Sequence, residues 1–240
     1  MQNEGGLTLE LHAVRLSFLT TKETIRSYLQ YVSPVSRSKI ERFMRIEDAI
    51  RSLAAELLAR IVLCRALECS NRDLSAAWHV NAHGKPYLHE SKLHFNLSHA
   101  GHWVVLAVDN ARVGVDIERI NPIDLDIAKR YFSKIEYSDL MAIPSDRRLD
   151  YFYTLWKLKE AYIKADGRGL AVPLDSFSFR EIGQGISLQP HEQENATFKF
   201  KQYEIDELYK LSVCAEHSSF PTDIVLWDEK SILQDAGRLL

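Results

Sequence analysis

The sequence predicts an α+β protein. Three observations carry that reading: a helical period over residues 47–68, a second over 146–166, and strand-like alternation after each of them. The 240 residues suffice for one large domain or two modest ones, each with its own core. The recurring order, a long helix followed by strands, fits a duplicated α+β unit joined near Asn110, with halves 1–110 and 111–240. A single loop-rich α+β domain fits the same order, because neither a residue-level repeat nor a low-complexity linker marks the join.

The elements follow in order. Leu7, Leu9, Leu11 and Ala13 alternate with Thr8, Glu10 and His12, the period of a strand with one buried face. A loop and a basic turn, SPVSRSKIERF, come next. Ile50, Leu53, Leu57, Ile61 and Cys64 then recur at helical spacing and predict a long buried helix. Gly84 and Pro86 punctuate a turn in NAHGKPYLHE. LHFNLSHAGHWVVLAVD reads as strand, tight turn at Ala100 and Gly101, and strand. VGVDIERI continues as a further strand. Residues 124–142 and 146–166 read as helices, the second ending at Gly167 and Gly169. FSFREI, ATFKFKQYEI and YKLSVCAEH read as three more strands.

Composition narrows the function. With 46% hydrophobic and 26% charged residues the chain is an ordinary soluble globular protein, and no apolar run approaches a membrane span. The N-terminal MQNEGGLTLELHAV has neither a basic nor an apolar signal region, so a cytoplasmic location is expected. Cys64, Cys69 and Cys214 form no metal-like spacing and read as free thiols. A net charge of −3 argues against a nucleic-acid binder held by phosphate neutralisation. There is no GxGxxG, P-loop, HExxH or GxSxG motif, which disfavours dinucleotide, P-loop, zincin and α/β-hydrolase chemistry.

Several residue types could carry chemistry. In VGVDIE, Asp116 and Glu118 stand two apart on a predicted strand, so both project from one face while Val115 and Ile117 take the other. They are either an exposed polar face or a pair bridged by a divalent cation such as Mg²⁺, with Mn²⁺ an alternative. Glu160 could add a third carboxylate from the helix of WKLKEAYIK. One turn on, Lys164 could neutralise it or meet phosphoryl charge. Ser98 and His99 precede the tight turn and could face a phosphate. Arg37, Lys39 and Lys85 are, taken singly, ordinary surface charges.

Taken together, FNLSHAGHW, VGVDIE and WKLKEAYIKADGRGL resemble the 4'-phosphopantetheinyl transferases of the surfactin-synthetase-activating type. The resemblance extends through SPVSRSKIERF, HGKPYL, AKRYFSKIEYSDL and VPLDSFSFR, nearly the whole chain. It implies two similar α+β halves related by a pseudo-two-fold axis, with the active site in the cleft between them, and a monomer. It implies Mg²⁺-dependent transfer of phosphopantetheine from coenzyme A, the co-substrate, to a serine of an apo peptidyl or acyl carrier protein, with release of adenosine bisphosphate.

By the same resemblance Asp116, Glu118 and Glu160 hold the metal, Glu160 or a metal-bound water acts as base, and Lys164 stabilises the phosphoryl group in flight. Ser98, His99 and Lys85 contact phosphates, Lys39 and Arg51 lie near the phosphorylated adenosine end, and Lys159 fixes the diphosphate or the cleft. The carrier is expected near residues 121–140, where Lys129, Arg130 and Lys134 suit an acidic partner. The chain departs from the family's usual pattern at Ser36, where relatives often have lysine, at Ala100 in place of serine, and at Lys157 in place of a small polar residue.

Overall fold

The computed structural model describes residues 8–182, 185–190 and 198–240. Leu7 of the expected first strand and Ala196 and Thr197 of a later one lie outside the described residues. The first half runs β1 (Glu10–Arg15), α1 (Lys22–Tyr28), α2 (Pro34–Ile40), α3 (Ile46–Leu67), α4 (Asn71–Ala77), β2 (Trp78–Val80), β3 (Pro86–Leu88), β4 (His94–Ala100) and β5 (Trp103–Asp109). The second runs β6 (Val113–Arg119), α5 (Ala128–Tyr131), α6 (Lys134–Ala142), α7 (Ser145–Asp166), β7 (Phe177–Ile182), β8 (Gly185–Pro190), β9 (Lys199–Tyr203), β10 (Tyr209–Ala215), β11 (Val225–Asp228) and α8 (Glu229–Leu239).

Two sheets carry the molecule. One has the order β11-β1-β5-β4, antiparallel except where β11 joins β1 in parallel, and the other is the antiparallel β6-β10-β9. Their facing surfaces share a core in which Leu11, Ala13, Val105 and Ala107 meet Val115, Ile117, Leu211 and Val213. On the outer face of the first sheet lies α3, which buries Leu53, Leu57, Leu58 and Ile61 with Val104 and Leu106. The 22-residue α7 covers the second sheet in the same way, so each half pairs a long helix with antiparallel strands. Burial of each such aliphatic side chain contributes roughly 1.5–3 kcal/mol.

The structure corrects four expectations. Strand β1 has no polar face: it lies between β5 and β11 under α3, and His12 is buried, held by Glu10 and the Trp227 indole. Residues 124–142 are not one helix. Ser133 and Glu136 form a reciprocal capping box that restarts the chain as α6 after the short α5. Between the expected strands, β8 pairs with β7 as a hairpin. Finally, β11 and α8 return to the first half, so the division at residue 110 does not hold for the last segment. The Glu229 carboxylate secures that return by accepting from the backbone N–H groups of Ser17, Phe18 and Thr20.

One glycine sets the distance between β6 and α7. A Cβ on Gly114 would stand 2.1 Å from the Ala161 carbonyl oxygen and 2.4 Å from the Ala165 nitrogen, both backbone atoms that cannot step aside. Gly114→Ala is therefore expected to cost about 3 kcal/mol in urea unfolding, the upper end for overpacking. A loss below about 1 kcal/mol would show that α7 shifts freely.

Candidate active site

The seam between the two sheets, where β6 runs beside β4, is built from side chains rather than a strand ladder. Edge strand β6 runs beside β4, and its N–H groups find partners there: Val115 N–H donates to Asn96 Oδ1 (2.9 Å) and Ile117 N–H to Ser98 Oγ (3.2 Å). Carbonyls on the same edge accept from lysines, Val115 from Lys164 (3.3 Å) and Val113 from Lys85 (3.2 Å). Buried backbone groups need partners, so these polar side chains hold β4 and β6 in register.

Asp116 lies at the middle of this seam and is 5% exposed. Its Oδ1 accepts from Ser98 Oγ (2.8 Å) and from Lys164 Nζ (2.5 Å), and its Oδ2 accepts from the ammonium of Lys157. Burial alone would raise the Asp116 pKa, but Lys164 and Lys157 outweigh it and hold the carboxyl below its ordinary value. Glu118 shares the face, half exposed, with its Oε2 3.4 Å from Lys157 Nζ. Glu160 approaches from α7. Its own burial first, then repulsion from Asp116, raises its pKa, with Lys157 and Lys164 opposing. Ser212 stands opposite Asp116 on β10, its hydroxyl fully buried and unpartnered.

A cleft of about 520 Å³ opens beside this cluster. It is bounded by residues 32–36, Lys39, Ser52, Trp78, Gly84, Pro86, Leu97 and His99, a size suited to a small-molecule ligand. An adjoining recess of about 230 Å³ shares Gly84, Pro86 and Leu97 and reaches Lys85 and Lys164 across the seam. The cleft walls desolvate His99 and, with Lys164, Lys39 and Arg51, push its pKa below the ordinary value.

Of the residues singled out in the sequence, the structure gathers Ser98, Asp116, Glu118, Glu160 and Lys164 at the seam, with His99 and Lys39 on the cleft wall. Arg51 donates to the Gly101 carbonyl (2.9 Å), beside the turn that follows His99. The Lys85 ammonium is committed to the Val113 carbonyl at the start of β6 and to those of Lys164 and Ala165 at the end of α7, and burial pushes its pKa down to about 8.

Lys159 is a correction. It is fully buried on the opposite side of α7, paired with Glu136 (2.8 Å) and donating to the carbonyls of Leu174 and Phe177 (both 2.7 Å). Side chains advance roughly 100° per residue around a helix, which turns Lys159 away from Glu160 and the seam. Lys157 was missed as a member of the site, although its spacing to Glu160 and Lys164, i, i+3 and i+7, places all three on one stripe. Trp156 packs beside this stripe, stacked on Phe152 and edge-on to Tyr131.

Comparison with known proteins decides the family. The model of the 4'-phosphopantetheinyl transferase superfamily matches residues 112–214, and that of the 4'-phosphopantetheinyl transferase N-terminal domain matches residues 18–111. The chain belongs to the 4'-phosphopantetheinyl transferase superfamily. It is of the Sfp type, being 39% identical to 4'-phosphopantetheinyl transferase Sfp of Bacillus subtilis (strain 168) over 94% of this chain and 100% of that one. It is also 42% identical to 4'-phosphopantetheinyl transferase ffp of Bacillus subtilis, over 90% of this chain and 95% of that one. Among solved structures, the holo-[acyl-carrier-protein] synthase of Thermotoga maritima aligns with a TM-score of 0.37 at 18% identity, covering 44% of this chain and 62% of that one. The protein is thus an enzyme, a 4'-phosphopantetheinyl transferase.

The carboxylates of Asp116, Glu118 and Glu160 are oxygen donors of the type a hard divalent cation prefers. The Lys157 ammonium, however, already sits on Asp116 and beside Glu118. Among the described residues no group of three acidic, histidine or cysteine side chains stands ready around a metal position. Nor, among those residues, is any helix long and apolar enough to cross a membrane.

Proposed function

We propose that this transferase moves the 4'-phosphopantetheine group from coenzyme A to a serine of an apo carrier protein, releasing adenosine 3',5'-bisphosphate. The observation that carries this reading is that Lys39 and His99 line the cleft while Lys164, which lines the adjoining recess, bonds both Ser98 and Asp116. Coenzyme A would lie along the cleft, at a pseudo-two-fold join of similar halves, with its phosphorylated adenosine toward Lys39 and Arg51 and its diphosphate toward Ser98, His99 and Lys164.

Asp116, Glu118 and Glu160 would hold Mg²⁺ or Mn²⁺, which when bound offsets charge on the diphosphate. The carrier serine hydroxyl attacks the pantetheine-bearing phosphorus, the bond to the bridging diphosphate oxygen breaks, and that oxygen leaves with adenosine bisphosphate. Glu160, whose pKa is raised, suits acceptance of the serine proton, a contribution of about 10²- to 10⁴-fold. Lys164, bonded to Asp116 and Ser98, would turn its ammonium toward the phosphoryl oxygens and supply charge in the transition state. Ser36 leaves Lys39 without a neighbouring lysine on the cleft wall.

The carrier would dock near residues 121–140, where Ala128, Phe132 and Leu140 face inward while Ile123, Lys129, Arg130, Lys134 and Ile135 are exposed. Peptidyl or acyl carriers of nonribosomal peptide, polyketide or fatty acid synthesis, acidic as a class, suit this surface. The enzyme would act in the cytoplasm as a monomer. The test is the intact mass of an apo peptidyl carrier protein after incubation with the enzyme, coenzyme A and Mg²⁺. A phosphopantetheine-sized gain that EDTA prevents is expected, and no gain on peptidyl or acyl carriers would overturn the reading.

A further inference from the structure

Lys157 is 1% exposed, yet its ammonium is not in an apolar core but inside a carboxylate cluster. Helix α7 carries it one turn before Glu160, opposite the face of β6 that bears Asp116 and Glu118. There it bonds Asp116 Oδ2 and stands 3.4 Å from Glu118 Oε2. The other Asp116 oxygen is taken by Lys164 and Ser98, so neither oxygen faces an open position. Three carboxylates against two ammonium groups leave the cluster one charge short of neutral before any other cation arrives. A site built only to receive a divalent ion would leave its central carboxylate open on one side; here that side is filled by the chain itself.

The geometry points to Lys157 as a resident cation of this cluster, which a divalent ion enters only by displacing the ammonium from Asp116. The inference rests on the reading of Asp116, Glu118 and Glu160 as metal ligands. Glu118, with its side chain 44% exposed, marks the open edge toward which a four-carbon stem can swing while keeping a carboxylate partner. Two consequences follow from competition for the same oxygens. The enzyme alone holds the metal weakly, and the diphosphate of coenzyme A, by adding oxygen ligands and taking Lys164 as a partner, strengthens metal binding.

The experiment is a Mn²⁺ titration followed by electron paramagnetic resonance, on wild type, Lys157→Met and Lys157→Ser, with and without coenzyme A. Thermal melts without metal establish that each chain is folded. Without coenzyme A, both variants should bind Mn²⁺ at least about tenfold tighter than wild type, and coenzyme A should tighten wild type more than either variant. Equal affinities in folded wild type and variants would overturn the role of Lys157 and leave the metal reading standing. No Mn²⁺ uptake by any chain, with or without coenzyme A, would remove both. Should the variants not fold, a crystal structure of wild type with Mn²⁺ and coenzyme A decides: the ammonium off Asp116 supports displacement, and the ammonium still on Asp116 beside a bound ion overturns it.

Discussion

Asp116→Ala is expected to lower the unfolding free energy by about 3–5 kcal/mol, the cost of leaving a buried charge without its partner. The reason is Lys157. With Asp116 gone, its ammonium keeps only the 3.4 Å approach to a half-exposed Glu118, and the Ser98 hydroxyl loses the acceptor that orients it. The double variant Asp116→Ala with Lys157→Met should regain most of that loss, because the orphaned charge is gone and an unbranched side chain fills its volume. Urea unfolding of the four chains of this cycle measures the coupling. Activity separates the two roles of the aspartate: the double variant should be folded and still transfer nothing to the carrier. If Asp116→Ala unfolds at the wild-type urea midpoint, the buried pair is not the centre of the seam.

Lys159→Met should cost a comparable amount, about 3–5 kcal/mol, by the same physics in a different place. Glu136 and Lys159 are both fully buried, and the carboxylate also accepts from the Ser133 and Phe179 backbone N–H groups, tying α6 and β7 to α7. Two residual N–H donors do not replace a cation at 2.8 Å. Replacing both partners at once, Glu136→Leu with Lys159→Met, should be far less harmful than either single change, since a well-packed apolar pair avoids the desolvation penalty. Folded Lys159→Met protein should bind coenzyme A with unchanged affinity in calorimetry. A large loss of that affinity without a loss of stability would return Lys159 to the cleft.

Much of this was legible from local periods. The two-residue repeat put Asp116 and Glu118 on one strand face, and helical spacing put Glu160 and Lys164 on one stripe of α7; neither inference needs a distant neighbour. The same spacing held the signal for Lys157, which reads as a mere departure from a pattern until β6 is seen opposite it. The choice between Lys157 and Lys159, two lysines flanking Leu158, depends on which side of α7 meets carboxylates, and Glu136 lies 23 residues upstream of Lys159. The chain after His217 carries a helical period in Ile232, Leu233, Ala236 and Leu240, but its placement comes from β11 adding to the free edge of β1 and Glu229 capping the loop at residues 17–20.

What the sequence determined by itself is therefore the α+β class, the two long helices and the family to which its motifs point, because each depends on spacings within a few turns or strands of chain. What only the tertiary structure decided is which charges share a site: that Lys159 closes a core ion pair, that Lys85 binds carbonyls, and that Lys157 occupies the carboxylate cluster. Ion pairing acts over a few ångströms of space and is indifferent to separation along the chain, so residues 41 apart, Asp116 and Lys157, became partners only when β6 and α7 were packed together.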